Sequence, residues 1–248
     1  MKPASLKLPV IDWAAIDSCA AGRRVVADSR AIAPGDVFMA FRGEYADGRN
    51  YIGQAIEAGA AAVIWEAEDF AWNPAWPVAH VAVPQLRNQA GIVAAHLLDN
   101  PSFGLWVTGI TGTNGKTSIA TWLAQAFTLA GHKGGVLGTV GNGFPDALEP
   151  STHTTLDPVA LQNWLRRLAD AGASHIALEV SSHGLDQARA HGVCIDCAVF
   201  TNLTRDHLDY HGDMDEYGAA KGRLFEWEGL KAAVINQDDE FGRKLLEM

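Results

Sequence analysis

The chain has 248 residues, 48% of them hydrophobic, and a formal charge of −10 from 19 basic and 29 acidic side chains. This is length for one large domain or two modest ones with full cores, and its acidic balance disfavours general affinity for nucleic acid or anionic membrane. The three cysteines form no disulfide framework; with no basic-then-apolar signal pattern and no apolar run near the roughly 20 residues of a membrane span, a soluble cytoplasmic protein is expected.

Residues 1–20 carry little signal. Val25, Val26 and Ala27 read as a short strand running into Asp28-Ser29-Arg30, and Pro34-Gly35 as a turn. Residues 37–41 form a second strand. The polar loop through Glu44, Tyr45, Ala46 and Asp47 leads to a helix near 50–58 that stops at Gly59. Strands at 61–65 and 78–83 flank a connection whose Trp72 and Trp76 are expected to cover a core edge. A helix from about 84 to 98 follows. The turn cluster Asp99-Asn100-Pro101-Ser102 sets a domain boundary, dividing 1–99 from 100–248.

Beyond the boundary, strand and helix alternate, the pattern of a mostly parallel sheet covered on both faces. Leu105, Trp106 and Val107 read as the end of a buried strand. Gly109, Gly112 and Gly115 then interrupt a run of small polar residues closed by Lys116-Thr117. Ile119, Trp122, Leu123, Ala126, Phe127 and Ala130 follow at helical spacing, with Gly131 as the stop. Strand, glycine loop, Lys-Thr and helix together predict a phosphate-binding loop. Gly112, Thr113, Asn114, Gly115, Lys116, Thr117 and Ser118 would hold a nucleotide triphosphate, with Lys116 on the outer phosphates and the Thr117 hydroxyl on magnesium. The strict pattern would place a glycine at 110, where this chain has Ile110.

Further strands are predicted at 135–139, 175–180, 197–202 and 232–236, with a helix opened by Asp157-Pro158 and striped by Leu161, Trp164, Leu165 and Leu168. In such sheets ligands bind beyond the C-terminal strand ends. Glu179 and Asn202 fall at that edge. Glu179 could serve magnesium or be a solvated strand-end acid. Asp206, His207, Asp209 and His211 could bind a metal or populate a polar loop, and their spacing disfavours zinc. Lys221 sits in a helical pattern, where a lone lysine is usually solvent-facing. Cys194 and Cys197 read as two core thiols. The chain stops at Met248 in a helical pattern just after a strand, which suggests an incomplete central domain.

Taken together, Thr-Gly-Thr-Asn-Gly-Lys-Thr at 111–117, Asp28-Ser29-Arg30, Ala46-Asp47-Gly48-Arg49, Glu-Val-Ser-Ser-His-Gly-Leu at 179–185 and Asn-Leu-Thr-Arg-Asp-His-Leu-Asp-Tyr-His-Gly at 202–212 closely resemble the Mur ligases. These are ATP-dependent, amide-forming enzymes of peptidoglycan precursor synthesis, and the last two motifs resemble the branch that adds the third peptide residue. The resemblance implies a small N-terminal α/β domain for the uridine-linked precursor and a central ATP domain. A C-terminal, amino-acid-selecting domain of the family has no counterpart here, so a fragment that binds but turns over little is expected.

The resemblance also implies site roles. Ala27, Ser29, Glu44, Tyr45 and Ala46 would hold the uridine nucleotide. His153, Thr154, Thr155, Ser181, Gln187 and Arg189 would hold the muramoyl-dipeptide, His153 departing from a frequent asparagine. Thr117, Glu179 and His207 would serve magnesium, and Lys221 matches a lysine that the family carbamylates. Lys116, Glu179, His207 and Lys221 form the implied catalytic set. The implied substrates are ATP, UDP-N-acetylmuramoyl-L-Ala-D-Glu and an amino acid, diaminopimelate by analogy, acting with a monomeric protein. The competing readings are a dipeptide-adding or folylpolyglutamate-type ligase, a generic phosphate-loop ATPase, and a non-catalytic module that binds the wall precursor.

Overall fold

The computed structural model describes residues 8–44 and 46–247. The chain divides into two compact units, Met1–Asp99 and Asn100–Met248. Among the described residues the first unit holds α1 (Trp13–Ala20), β1 (Val25–Val26), β2 (Val37–Ala40), α2 (Ile52–Glu57), β3 (Ala62–Glu66), β4 (Ala79–Val83) and α3 (Leu86–Leu97). Its strands pair in the order β1-β2-β3-β4, all parallel. β2 and β3 are buried at every position, as expected for strands covered on both faces. Phe38, Ile52, Val63 and Trp65 form a core cluster against which Trp72 and Trp76 pack half-buried, so both tryptophans cover a core edge. Trp65 Nε1 donates to His80 Nδ1 at 3.2 Å, and Trp72 stacks on the same imidazole at 3.8 Å.

The second unit contains β5 (Trp106–Thr111), α4 (Lys116–Leu129), β6 (Gly134–Leu137), β7 (Asn142–Phe144), β8 (Ala147–Glu149), α5 (Pro158–Asp170), β9 (His175–Glu179), α6 (Ser182–Asp186), β10 (Cys197–Phe200), α7 (Leu208–His211), α8 (Met214–Gly222), β11 (Ala232–Ile235) and α9 (Glu240–Leu246). The sheet order is β11-β10-β5-β9-β6-β7-β8, parallel from β11 to β6 and antiparallel through β7 and β8. β5 is central, and the chain leaves it in one direction to β6 and later returns to fill both of its flanks. That arrangement opens a crevice at its C-terminal end. Asp157 caps α5 by accepting from the Val159 and Ala160 N–H groups, and Leu161, Leu165 and Leu168 are buried against Ile176, Leu178 and Ile195.

Four local expectations are corrected. The strand read as ending near Val107 runs on to Thr111, so Gly109 is a strand residue. A Cβ there would lie 3.2 Å from Leu224 and 3.3 Å from Ile195, so glycine serves packing at that position rather than the loop. Trp122 lies on the solvent side of α4 at 66% exposure, because Ala120 and Ala124, with Ile119 and Leu123, make the buried face. Cys194 and Cys197 are half-buried rather than core thiols, and Cys194 precedes the strand. Lys221 is 1% exposed rather than solvent-facing, because α8 turns it inward. No described helix is long and apolar enough to cross a membrane.

Candidate active site

The loop after β5 is fastened on one side to the segment after β10. Gly112 has φ +141°, and a Cβ on it would fall 1.8 Å from Thr201 Oγ1, so both conformation and space require glycine. Thr113 N–H donates to Asn202 O at 2.8 Å and Asn114 N–H to Asn202 Oδ1 at 3.1 Å. In return Thr201 Oγ1 and Asn202 Nδ2 donate to Asn114 O at 2.6 and 3.1 Å, and Thr204 N–H donates to Thr113 Oγ1 at 3.0 Å. Gly115 then opens α4, with Lys116, Thr117 and Ser118 next in chain order. The first N–H groups of a helix lack intrahelical acceptors and favour an anion in front of them.

Two lysines meet at this loop. Lys116 Nζ donates to Gly112 O at 2.8 Å and Thr113 O at 2.9 Å, and Lys221 Nζ donates to Gly112 O at 3.0 Å. Lys221 also lies over the Tyr217 ring at 4.3 Å, and the Tyr217 hydroxyl is 3.2 Å from Thr113 Oγ1. Burial lowers the Lys116 pKa, opposed by Glu179 and Asp206. Burial, with the neighbouring Lys116 charge, brings Lys221 down to about 7, opposed by Asp206. An acidic chain thus gathers two lysines where phosphate would sit.

Glu179 ends β9 beside this loop, in register with Ile110. Its side chain is 1% exposed. Thr117 Oγ1 donates to Oε2 at 2.9 Å, Thr139 N–H to Oε1 at 2.9 Å and Thr139 Oγ1 to Oε2 at 3.2 Å. Among the described residues no cationic side chain forms an ion pair with it. A buried carboxylate served by hydroxyls and an N–H has room in its chemistry for a cation, and carboxylate plus hydroxyl oxygens are hard donors of the kind magnesium takes. Thr117 and Glu179 therefore fit a magnesium site, whereas Lys221 as an ammonium does not.

His207 stands apart from that pair. Its ring contacts His183 at 4.8 Å and Tyr217 at 6.1 Å, and Nε2 lies 3.5 Å from Asp206 Oδ2. Among the described residues it bonds to neither Thr117 nor Glu179, and no three His, Cys, Asp or Glu side chains gather as a ready metal site. His207 has φ +52°, a left-handed conformation that opens α7.

The residues expected to hold the muramoyl-dipeptide are mostly brought together. Thr155, 1% exposed, has its Oγ1 3.0 Å from Glu179 O, to which it donates, and 3.1 Å from Ser181 Oγ, and accepts from Ser181 N–H at 2.9 Å. Arg189 donates from Nε to Gln187 Oε1 and from Nη1 to Thr155 O, both at 2.9 Å. Thr154 Oγ1 accepts from Thr139 Oγ1 at 3.0 Å. His153 is exposed, with its Nδ1 2.9 Å from the Thr152 hydroxyl, and joins this cluster through no direct hydrogen bond.

In the N-terminal unit, Ser29 is buried beyond β1 and donates to Gln54 Oε1 at 3.3 Å, with Ala27 half-buried beside it. Glu44 and Ala46 are exposed in the loop after β2, where Gly43 N–H donates to Ala46 O at 2.8 Å. Tyr45 lies outside the described residues.

Sequence reasoning left Thr139, Thr204 and Tyr217 without a role, although all of them touch the loop, its lysines or Glu179. The placement of Thr139 at the C-terminal end of β6 was the available signal. A cavity of about 670 Å³ opens elsewhere, between the end of α4 and the β7–β8 hairpin, and none of the candidate residues lines it.

The chain is similar to curated proteins named UDP-N-acetylmuramoyl-L-alanyl-D-glutamate--2,6-diaminopimelate ligase. That of Chromobacterium violaceum is 62% identical over 90% of this chain and 45% of its own length, and that of Neisseria meningitidis serogroup B is 57% identical over 92% and 47%. The chain thus spans about half the length of the curated relatives it matches. A solved ligase structure of the same name superposes with a TM-score of 0.76 at 38% identity, over 90% of this chain and 45% of that one. The model of the Mur ligase family catalytic domain matches residues 23–97. With the Mur ligase middle domain matched across residues 110–248, over the loop, Glu179 and Lys221, the chain belongs to the Mur ligase family.

Proposed function

We propose that this chain is the precursor-binding and ATP-binding part of a ligase. It would join meso-diaminopimelate to UDP-N-acetylmuramoyl-L-Ala-D-Glu in peptidoglycan synthesis, acting in the cytoplasm as a monomer. The relatives' shared name supplies the substrates, and the observation that carries the chemistry is the Thr117–Glu179 oxygen pair at the mouth of the phosphate loop. The loop and the start of α4 cradle the phosphates of ATP, and Lys116 moves from the Gly112 and Thr113 carbonyls onto the outer phosphates. Thr154, Thr155, Ser181, Gln187 and Arg189 hold the dipeptide so that its glutamyl carboxylate faces the γ-phosphate. That carboxylate displaces ADP, forming an acyl phosphate, and the incoming amine then displaces phosphate.

Thr117 and Glu179 would hold magnesium, which would supply charge neutralisation at the transferring phosphoryl group. A lysine brought down to about 7 presents unprotonated amine near neutrality, the form that adds carbon dioxide. Lys221 as a carbamate would offer an anionic oxygen where the ammonium cannot serve. Positioning of this kind, rather than a nucleophilic side chain, supplies most of the rate. The Ala27–Ser29 strand end and the Glu44–Ala46 loop take the uridine nucleotide.

The test is capture of the first half-reaction. The chain is incubated with ATP, magnesium, the dipeptide precursor and hydroxylamine. ADP release and hydroxamate formation that both require the precursor support the ligase. Binding of both substrates with neither product would make the chain a non-catalytic binding module.

A further inference from the structure

The turn after β6 is shaped around Glu179. A Cβ on Gly138 would stand 2.1 Å from Glu179 Oε1, so only glycine lets the turn approach that carboxylate. The next residue, Thr139, grips both carboxylate oxygens, Oε1 through its N–H at 2.9 Å and Oε2 through its hydroxyl at 3.2 Å. The same hydroxyl reaches Thr154 Oγ1 at 3.0 Å. Since Thr117 Oγ1 donates to Glu179 Oε2, a continuous line of side chains runs Thr154, Thr139, Glu179, Thr117. It joins the 153–155 segment to the first turn of α4.

A threonine hydroxyl has one proton. Thr139 has two acceptors for it, Thr154 Oγ1 and Glu179 Oε2, and can satisfy them fully only one at a time. We infer that Thr139 is a positioning residue that couples occupancy of the Thr154 segment to the orientation of the Glu179 carboxylate. The inference rests on the reading that Thr154 meets the muramoyl-dipeptide and Glu179 the divalent cation. A ligand that donates to Thr154 Oγ1 turns the Thr154 hydroxyl proton back onto Thr139, whose own proton then goes to Oε2. The carboxylate is thereby held facing Thr117 before the cation arrives. Binding of dipeptide and cation become mutually favourable, and by linkage each strengthens the other equally. Thr139 is exposed, so removing its hydroxyl leaves no buried cavity, and its N–H contact survives any substitution other than proline.

The experiment follows manganese in the presence of ADP by electron paramagnetic resonance, with and without saturating UDP-N-acetylmuramoyl-L-Ala-D-Glu. The 248-residue chain, Thr139→Val, Thr139→Ser and Glu179→Gln are compared. The unsubstituted chain is expected to bind manganese about tenfold tighter with the precursor present, the scale of one charge-assisted hydrogen bond. Thr139→Val should lose that gain with its melting temperature unchanged, and Thr139→Ser should restore it. A gain that persists in Thr139→Val, or is absent from the unsubstituted chain, overturns the inference. Glu179→Gln separates it from the reading beneath. If manganese affinity is unaltered in that variant, Glu179 does not hold the cation and both fall; if it collapses while Thr139→Val behaves like the parent, only the role of Thr139 falls.

Discussion

Lys116 and Lys221 converge on one acceptor, the Gly112 carbonyl oxygen, which receives their ammonium groups at 2.8 and 3.0 Å. They come from elements more than a hundred residues apart in the chain, and they repel each other. Burial and the Lys116 charge together bring Lys221 from 10.5 to about 7.

The folded state therefore releases the Lys221 proton near pH 7, while the unfolded chain keeps it to about pH 10. Between those values the unfolded state binds more protons, so stability rises with pH. The cost of burying the charge is fully present below pH 7 and is relieved above it. Relative to a Lys221→Met variant, the parent should gain stability from pH 7 to 9, at a slope approaching about 1.4 kcal/mol per pH unit. Denaturant melts at several pH values measure this. Parallel curves for the two proteins would show that Lys221 stays protonated in the fold.

Gly112→Ala should be among the most damaging single-methyl additions. The new carbon meets Thr201 Oγ1 at 1.8 Å in a backbone conformation that L side chains rarely adopt. A loss of roughly 3 kcal/mol is expected from strain and clash combined, read in the melt of the second unit. Nucleotide affinity should fall with it, since Thr113 and Asn114 are placed by the same bonds to Asn202.

Arg189→Met tests the dipeptide segment. It removes the donors to Gln187 Oε1 and Thr155 O and leaves the phosphate loop intact. Precursor affinity should drop by about 2 kcal/mol, the scale of a charged hydrogen-bonding group. ADP affinity measured alone should stay within twofold. An equal loss of both ligands would mean that Arg189 supports the whole unit rather than one subsite.

Trp72→Ala tests the N-terminal aromatic cluster. Trp72 stacks on His80 and packs on the Phe38 and Val63 core. Its removal should cost about 2–4 kcal/mol in the first unit. Uridine-nucleotide binding under folding conditions should persist, because Trp72 is not among the residues proposed to hold it, and Ser29 hydrogen-bonds to Gln54 instead.

The phosphate loop was legible because its chemistry is local. Close backbone turns need glycine, the phosphates need a lysine, and a strand and helix must flank the loop within a few residues. Glu179 was legible through strand-end placement. The burial of Lys221 was not, since a lysine on a helix looks alike in sequence whether it faces water or a carbonyl contributed by a distant loop. The β7–β8 hairpin also escaped. Its three-residue strands sit among Gly141, Gly143 and Pro145, and only the pairing of β7 with β6 and of β8 with β7 makes them strands. Thr139 escaped because its partners, Glu179 and Thr154, are assembled by the sheet and not by spacing along the chain.

The central claim is that this chain holds a muramoyl-peptide nucleotide. Calorimetric titration of the chain with UDP-N-acetylmuramoyl-L-Ala-D-Glu, against UDP-N-acetylglucosamine as control, tests it most directly. Saturable one-to-one binding of the peptide-bearing nucleotide, much tighter than that of the control, is the predicted result. No binding by a chain shown to be folded, or equal affinity for both nucleotides, would contradict it.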